Sequence, residues 1–113
     1  MTRLWTIERD VPGWTDEDVA AAGLSAKMCV LWYPNMSWIR SLYDREGERI
    51  LCVYEAESEE DIRQHAVSAG LPCDVVTPVE ELVPADLAEP TEGDLAEREV
   101  GFGRPPFQPV SSN

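Results

Sequence analysis

The segment ILCVYEAESEEDIRQHAVSAGLP, Ile50 to Pro72, predicts a strand, a capped turn and an amphipathic helix in succession. In its first residues, two sets of side chains alternate with the period of two that a pleated strand requires. Ser58 and Asp61 have the spacing of a capping box in which aspartate replaces glutamate. Gly70 follows the last predicted helical residue, where glycine commonly ends a helix. The segment therefore predicts a strand over 50–56 and a helix over 59–69.

The other periodic segments predict three more strands and one more helix. Thr15 and Asp18 repeat the cap spacing, and acids fill the first turn that follows, as the helix dipole favours. Pro78 interrupts the last apolar segment, which indicates an edge strand or a bulge. The predicted elements are strand one over 3–9, helix one over 16–33, strand two over 36–43 and strand four over 74–83.

The predicted order is βαββαβ, which indicates an α+β ferredoxin-like fold. Two right-handed βαβ halves place four strands in one antiparallel sheet, with both helices on one face. The other face stays uncovered, although strands two and three carry apolar or aromatic residues on both faces. Simple alternation places Trp38 and Arg40 on the same face of strand two. We therefore expect a homodimer in which two sheets pack face to face as a dimeric α+β barrel.

Length and composition predict one domain followed by a tail. The chain has 113 residues, which provide a single modest core. Five of its nine prolines lie in residues 84–113, where no apolar period is sustained. We expect residues 1–83 to form the ferredoxin-like domain. Residues 84–113 are expected to be an acidic, proline-rich tail that is poorly ordered or docked on the domain or on a dimer partner, with Phe102 and Phe107 as candidate anchors.

The formal net charge of −13 restricts the possible partners. Such a surface repels phosphate backbones and anionic lipids, so neither nucleic acid nor a membrane is an expected partner. The first ten residues contain no apolar run typical of a signal peptide. Three scattered cysteines do not suit a secreted disulfide framework. The expected location is therefore cytoplasmic, with reduced thiols.

Three segments of the chain resemble a small domain family of otherwise unknown function that includes a nickel-binding protein. They are WTIERDVPG, SWIRSLYD and LCVYEAESEEDIRQHAVSAGLPCDVVTPVEEL. The similarity covers residues 4–83 and excludes the tail. It implies a ferredoxin-like dimer, and it implies nickel or another divalent transition metal as a ligand.

His65, Cys52 and Glu55 are the candidate metal ligands. His65 is the only imidazole in the chain, and nickel-type ions favour such a nitrogen. Cys52 and Glu55 are the nearest thiol and carboxylate in the preceding strand. The alternatives are a hydrogen-bonded structural histidine, a cysteine that packs in the core and a solvated glutamate at a strand end.

A second set of polar and aromatic residues in the strands is expected to line a ligand pocket between the two sheets of the dimer. An aromatic ring beside a guanidinium can hold a planar anionic ligand. Alternatively, the tryptophan fills the dimer interface and the arginine pairs with an acid. The expected pocket residues are Glu8, Trp38, Arg40, Ser41, Tyr43 and Tyr54.

The sequence therefore favours a small dimeric binding protein for a divalent transition metal such as nickel or for a small ligand. The alternative is a cofactor-free enzyme of the oxygenase or isomerase type, by analogy with other proteins of this fold. A third possibility is an interaction module that acts through its acidic tail. The single histidine, and the lack of any nucleophile–base pair visible by spacing, favour binding over catalysis.

Overall fold

The computed structural model describes residues 1–95. The elements follow in the order β1 (Arg3–Asp10), α1 (Asp16–Val30), β2 (Ser37–Asp44), β3 (Arg49–Ala56), α2 (Glu59–Ala69) and β4 (Val75–Val79), and a 3-10 turn follows at Pro84–Asp86. The chain divides into two units, Met1–Glu81 and Leu82–Asn113. The predicted anchors Phe102 and Phe107 lie outside the described residues.

The four strands form one antiparallel sheet in the order β2-β3-β1-β4. This order and the βαββαβ sequence of elements confirm the predicted ferredoxin-like α+β fold. The two central strands, β1 and β3, pair along their full length, from Arg3 opposite Ala56 to Asp10 opposite Arg49. The last strand is shorter than predicted, but its position at the sheet edge explains how Pro78 is tolerated there.

Both helices begin at the predicted caps. The Thr15 side chain accepts a hydrogen bond from the Asp18 backbone N–H, and the Asp18 carboxylate accepts one from Thr15 N–H in return. At the start of α2, Ser58 Oγ accepts a hydrogen bond from Asp61 N–H at 3.1 Å. The last turn of α2 closes on Gly70, whose φ of 72° suits glycine.

The first helix ends at Val30, three residues earlier than predicted. Pro34 accounts for the difference, because a proline disfavours helical backbone at the residue that precedes it. The chain leaves the helix through a tighter turn, in which Trp32 N–H donates to Cys29 O and Tyr33 N–H donates to Val30 O.

The hydrophobic core lies between the sheet and the two helices. Alternate residues of the central strands point into this layer, where α2 adds Ile62 and His65. The helices are joined by a hydrogen bond from Ser25 Oγ to Ala69 O at 2.9 Å. The most deeply buried strand side chains of this layer are Ile7, Tyr54 and Ala56.

A β-bulge in β2 changes the predicted orientation of its side chains. Trp38 pairs with Tyr54 and Arg40 with Val53, so one extra residue, Ile39, is inserted between neighbouring pairs. Trp38 therefore points toward the helices, whereas the exposed Arg40 lies on the opposite face. The prediction that Trp38 and Arg40 share a face was wrong, because simple alternation does not hold across a bulge.

The face of the sheet opposite the helices, here called the outer face, carries no helix among residues 1–81. Its residues form rows across the four strands, as the pairing register shows. Six apolar side chains lie on it together with Glu8, Arg40, Glu55 and several hydroxyl groups. The apolar members of the outer face are Leu4, Leu42, Leu51, Val53, Val75 and Val79.

Candidate functional site

A cavity of about 230 Å³ lies between α1 and the part of the sheet formed by β1, β2 and β3. The local sequence explains the space, because three of the four α1 residues that line it have small side chains: Ala22, Gly23 and Ala26. Opposite them stand large aromatic side chains of the sheet. The remaining lining residues are Arg9, Trp14, Val19, Trp38, Ser41, Tyr43, Ile50, Cys52, Tyr54 and Leu71.

The cavity has a buried floor and a partly exposed rim. Arg9, Ile50, Cys52 and Tyr54 are buried and form the floor. The rim includes Trp14, Trp38 and Tyr43, which are only half-buried. The Trp38 ring stacks on that of Tyr54, with 6.1 Å between ring centroids and an angle of 10° between planes. The walls are therefore predominantly aromatic and apolar.

A chain of hydrogen bonds crosses this apolar site and ends at the Cys52 sulfur. Trp38 Nε1 donates to Ser41 Oγ at 2.9 Å, and Ser41 Oγ donates to Cys52 Sγ at 3.0 Å. Arg9 Nε donates to the same sulfur at 3.3 Å. These contacts fix the rotamers of the polar side chains, so the site is shaped before any ligand arrives.

Among the lining residues that the structure describes, Arg9 is the one charged side chain. Its Nη1 also donates to Pro72 O at 2.6 Å, and its guanidinium lies 5.9 Å from the centre of the Tyr54 ring. Burial raises the pKa of Tyr54 although the Arg9 charge opposes the shift. Tyr54 is therefore a neutral phenol at physiological pH.

His65 lies behind the cavity floor, buried on the inner face of α2. Its ring packs against Tyr33 and Tyr54. Its Nε2 lies 3.1 Å from Ala26 O, and since a carbonyl only accepts, Nε2 carries the proton and Nδ1 keeps a free lone pair. Burial lowers the pKa of His65, and the Arg9 charge adds to the effect, so the imidazole is neutral.

The three candidate metal ligands lie on two sides of the sheet. Cys52 and His65 both belong to the layer between the sheet and the helices. Glu55 lies on the outer face, where its carboxylate accepts a hydrogen bond from Thr2 Oγ1 at 2.6 Å. Among residues 1–95, no three histidine, cysteine, aspartate or glutamate side chains come together in a way that could hold a metal ion.

The structure brings four of the six expected pocket residues together: Trp38, Ser41, Tyr43 and Tyr54 line the cavity. The cavity, however, lies on the helix side of the sheet, whereas Glu8 and Arg40 are on the outer face. Sequence reasoning missed Arg9 as a site residue. Arg9 follows Trp5 and Ile7 at every second position of β1. This spacing alone indicates that the Arg9 side chain lies on the core face.

Fold and cavity together define the class of protein: a ferredoxin-like α+β domain with an aromatic cavity between its sheet and its first helix. Residues 5–79 match the family described as "Nickel responsive protein SCO4226-like". The chain therefore belongs to the SCO4226-like family of nickel-responsive proteins.

The fold is also similar to a solved structure. The crystal structure of SCO4226 from Streptomyces coelicolor A3(2) aligns with a TM-score of 0.63 and 18% sequence identity. The alignment covers 71% of this chain and 99% of SCO4226. No curated protein matches the sequence. Within residues 1–95, no helix has the length and apolar character needed to cross a membrane.

Proposed function

We propose that the protein is a dimeric binding protein that holds a small ligand in the cavity beneath α1. The observation that carries this proposal is the cavity itself, which is preformed, predominantly apolar and equipped with a few fixed polar groups. Binding sites for small molecules commonly have this composition. Members of the same family are described as nickel responsive, which supports a role in binding rather than in structure alone.

The arrangement supports binding better than cofactor-free catalysis. An oxygenase or isomerase of this fold would need a group in the cavity that accepts or donates a proton. No histidine or carboxylate is among the cavity-lining residues that the structure describes. The Cys52 sulfur already accepts hydrogen bonds from Arg9 and Ser41, and the raised pKa of Tyr54 makes its phenol a poor proton donor. The Ser41 hydroxyl accepts a hydrogen bond from Trp38 and donates one to Cys52. No histidine or carboxylate among the described lining residues contacts this hydroxyl.

Nickel is the competing ligand, with His65, Cys52 and Glu55 as its proposed donors. In a single chain the described residues do not fit a nickel ion. Glu55 is separated from the other two by the sheet, and His65 offers only Nδ1 because Nε2 donates to Ala26 O. The Arg9 guanidinium also donates to Cys52 Sγ, where a cation would be repelled. We therefore derive no metal chemistry from this set.

Calorimetric titration of nickel into the untagged protein and into His65→Ala tests this metal alternative. If His65 is a ligand, the variant binds nickel about tenfold or more weakly, and binding in the wild type weakens as pH falls. Equal affinity in both proteins would remove His65 from the site. Our proposal of a small-molecule ligand expects no affinity difference between them.

The outer face supports the dimeric part of the proposal. Leu42 is 60% exposed and Val75 45% exposed, and four further apolar side chains continue this surface across the sheet. A sheet needs a second layer on an apolar face. A second copy of this chain supplies a face with the same pattern, and two-fold pairing is the commonest form of homo-oligomer.

Replacing Leu51 with aspartate is expected to convert the dimer to a monomer. Leu51 lies on a central strand of the outer face, between Leu42 and Glu8 in the pairing register. A buried charge without a partner costs about 3–5 kcal/mol, and a two-fold interface would contain this charge twice. Light scattering at micromolar concentration measures the mass.

Val67→Asp is the matched control for Leu51→Asp. Val67 is 81% exposed on α2 and lies away from the outer face, so this variant should stay dimeric. A wild type that is already monomeric, or a Leu51→Asp protein that remains dimeric, would contradict the proposed interface.

A further inference from the structure

Arg9 is a fixed and buried charge that has no carboxylate partner among residues 1–95. Its side chain is only 3% exposed, and it is held by Cys52 Sγ and by Pro72 O. Neither partner is a carboxylate, and in the described part of the chain no acid forms an ion pair with Arg9. A buried guanidinium in this situation is costly unless an anion or water meets it.

The guanidinium keeps donors for a ligand. Arginine has five N–H groups in a planar fork, which is more than its protein partners occupy. The two bonds to Cys52 and Pro72 set the plane of the fork. Such a fork matches the two oxygens of a carboxylate, which can accept two parallel hydrogen bonds.

The rest of the cavity suits an apolar body about the size of one ring. A cavity of about 150 Å³ is sufficient for benzene, and this one measures about 230 Å³. Trp38, Tyr43 and Tyr54 supply aromatic surfaces, and α1 contributes small apolar side chains. A ring with a short acidic arm therefore fits both the space and the position of Arg9.

The overall acidity of the protein does not prevent an anion from binding here. Charges at the surface are screened over about 8 Å at physiological salt. The contact with Arg9 takes place in a buried site, where direct charge pairs are stronger than in water. Within residues 1–95, no carboxylate lines the cavity and opposes a bound anion.

We propose that the cavity binds a small organic carboxylate with an aromatic or similarly compact apolar body, whose carboxylate pairs with Arg9. This inference rests on the proposed function, because it names the ligand class of the same cavity. The aromatic residues hold the body of the ligand, and Arg9 selects for its charge.

Phenylacetate and its neutral counterpart phenylacetamide test this selection by calorimetry with the untagged full chain. The wild type should bind phenylacetate about tenfold or more tightly than the amide, as expected for a charge-assisted pair. Arg9→Met keeps most of the side-chain volume and should lose that preference. Arg63→Met removes an exposed charge on α2, outside the cavity, and should leave the affinity unchanged.

A second variant keeps the test decisive if Arg9→Met fails to fold. Ala22→Leu retains Arg9 and adds carbon atoms from α1 into the cavity, so phenylacetate should bind about tenfold more weakly. Circular dichroism reports whether each variant is folded.

Equal binding of the acid and the amide by the wild type would overturn the carboxylate assignment and leave the binding function standing. Unchanged phenylacetate affinity in a folded Arg9→Met variant would show that Arg9 does not pair with the ligand and would overturn the inference. Unchanged affinity in a folded Ala22→Leu variant would place the ligand outside this cavity and would overturn it too. Absence of binding by both compounds would overturn it as well.

Discussion

Replacing Tyr54 with alanine is expected to lower the free energy of unfolding by about 3–5 kcal/mol, the range found when large buried aromatic side chains are truncated. Tyr54 is 1% exposed, and its ring stacks on Trp38 and packs against His65. Its loss would enlarge a cavity that already exists beneath α1, so the surroundings cannot collapse without moving the helix. Urea unfolding followed by circular dichroism measures the change.

Tyr54→Phe and Tyr43→Ala are the matched controls for this prediction. Tyr54→Phe keeps the ring and removes only the hydroxyl, which interacts with Arg9, so it should cost about 1 kcal/mol, as for one typical hydrogen bond. Tyr43 lies half-buried on the edge strand, so its truncation should cost clearly less than that of Tyr54. A Tyr54→Ala loss no larger than that of either control would show that Tyr54 does not organise the core.

Stability is expected to fall between pH 7 and pH 5 because of His65. Its pKa in the folded protein is lowered by burial, with a further contribution from Arg9, while only the bond to Ala26 O opposes the shift. The unfolded chain therefore binds the proton first as pH falls. The stability that the neutral imidazole contributes is complete above the unfolded pKa near 6.5 and is lost below it, by at most about 1.4 kcal/mol per pH unit.

His65→Gln isolates this effect from the titration of the many carboxylates. Glutamine is neutral at every pH in this range, and its amide N–H can donate to Ala26 O as Nε2 does. Urea unfolding of both proteins between pH 5 and pH 8 should show the wild type losing more stability on acidification. Parallel pH profiles would mean that His65 is not neutral and buried as described.

Most of the fold could be predicted from the sequence because its signals are local. The hydroxyl-to-acid spacings at Thr15 and Ser58 mark helix starts through side-chain hydrogen bonds that span three residues. Gly70 ends α2 because its backbone adopts a left-handed conformation. Ile62 and His65 are three positions apart, a spacing that puts both on one face of a helix, and both are buried on the inner face of α2.

The position of the site could be predicted only in part because it depends on packing between distant segments. The bulge at Ile39 reverses the alternation in β2 and turns Trp38 toward the helices. No local pattern marks that insertion. The role of Arg9 was hidden for a different reason: a charged residue on the core face of a strand is uncommon, and its partners Cys52 and Pro72 lie far along the chain.

Native mass spectrometry of the untagged full chain tests the central claim most directly, because one spectrum counts both the copies of the chain and the ligands they carry. The proposal predicts an assembly of twice the chain mass of 12.6 kDa. On titration with phenylacetate, this dimer should take up one ligand per chain, and the Ala22→Leu dimer should take up less. A monomer, or a dimer that takes up no phenylacetate, would contradict the account.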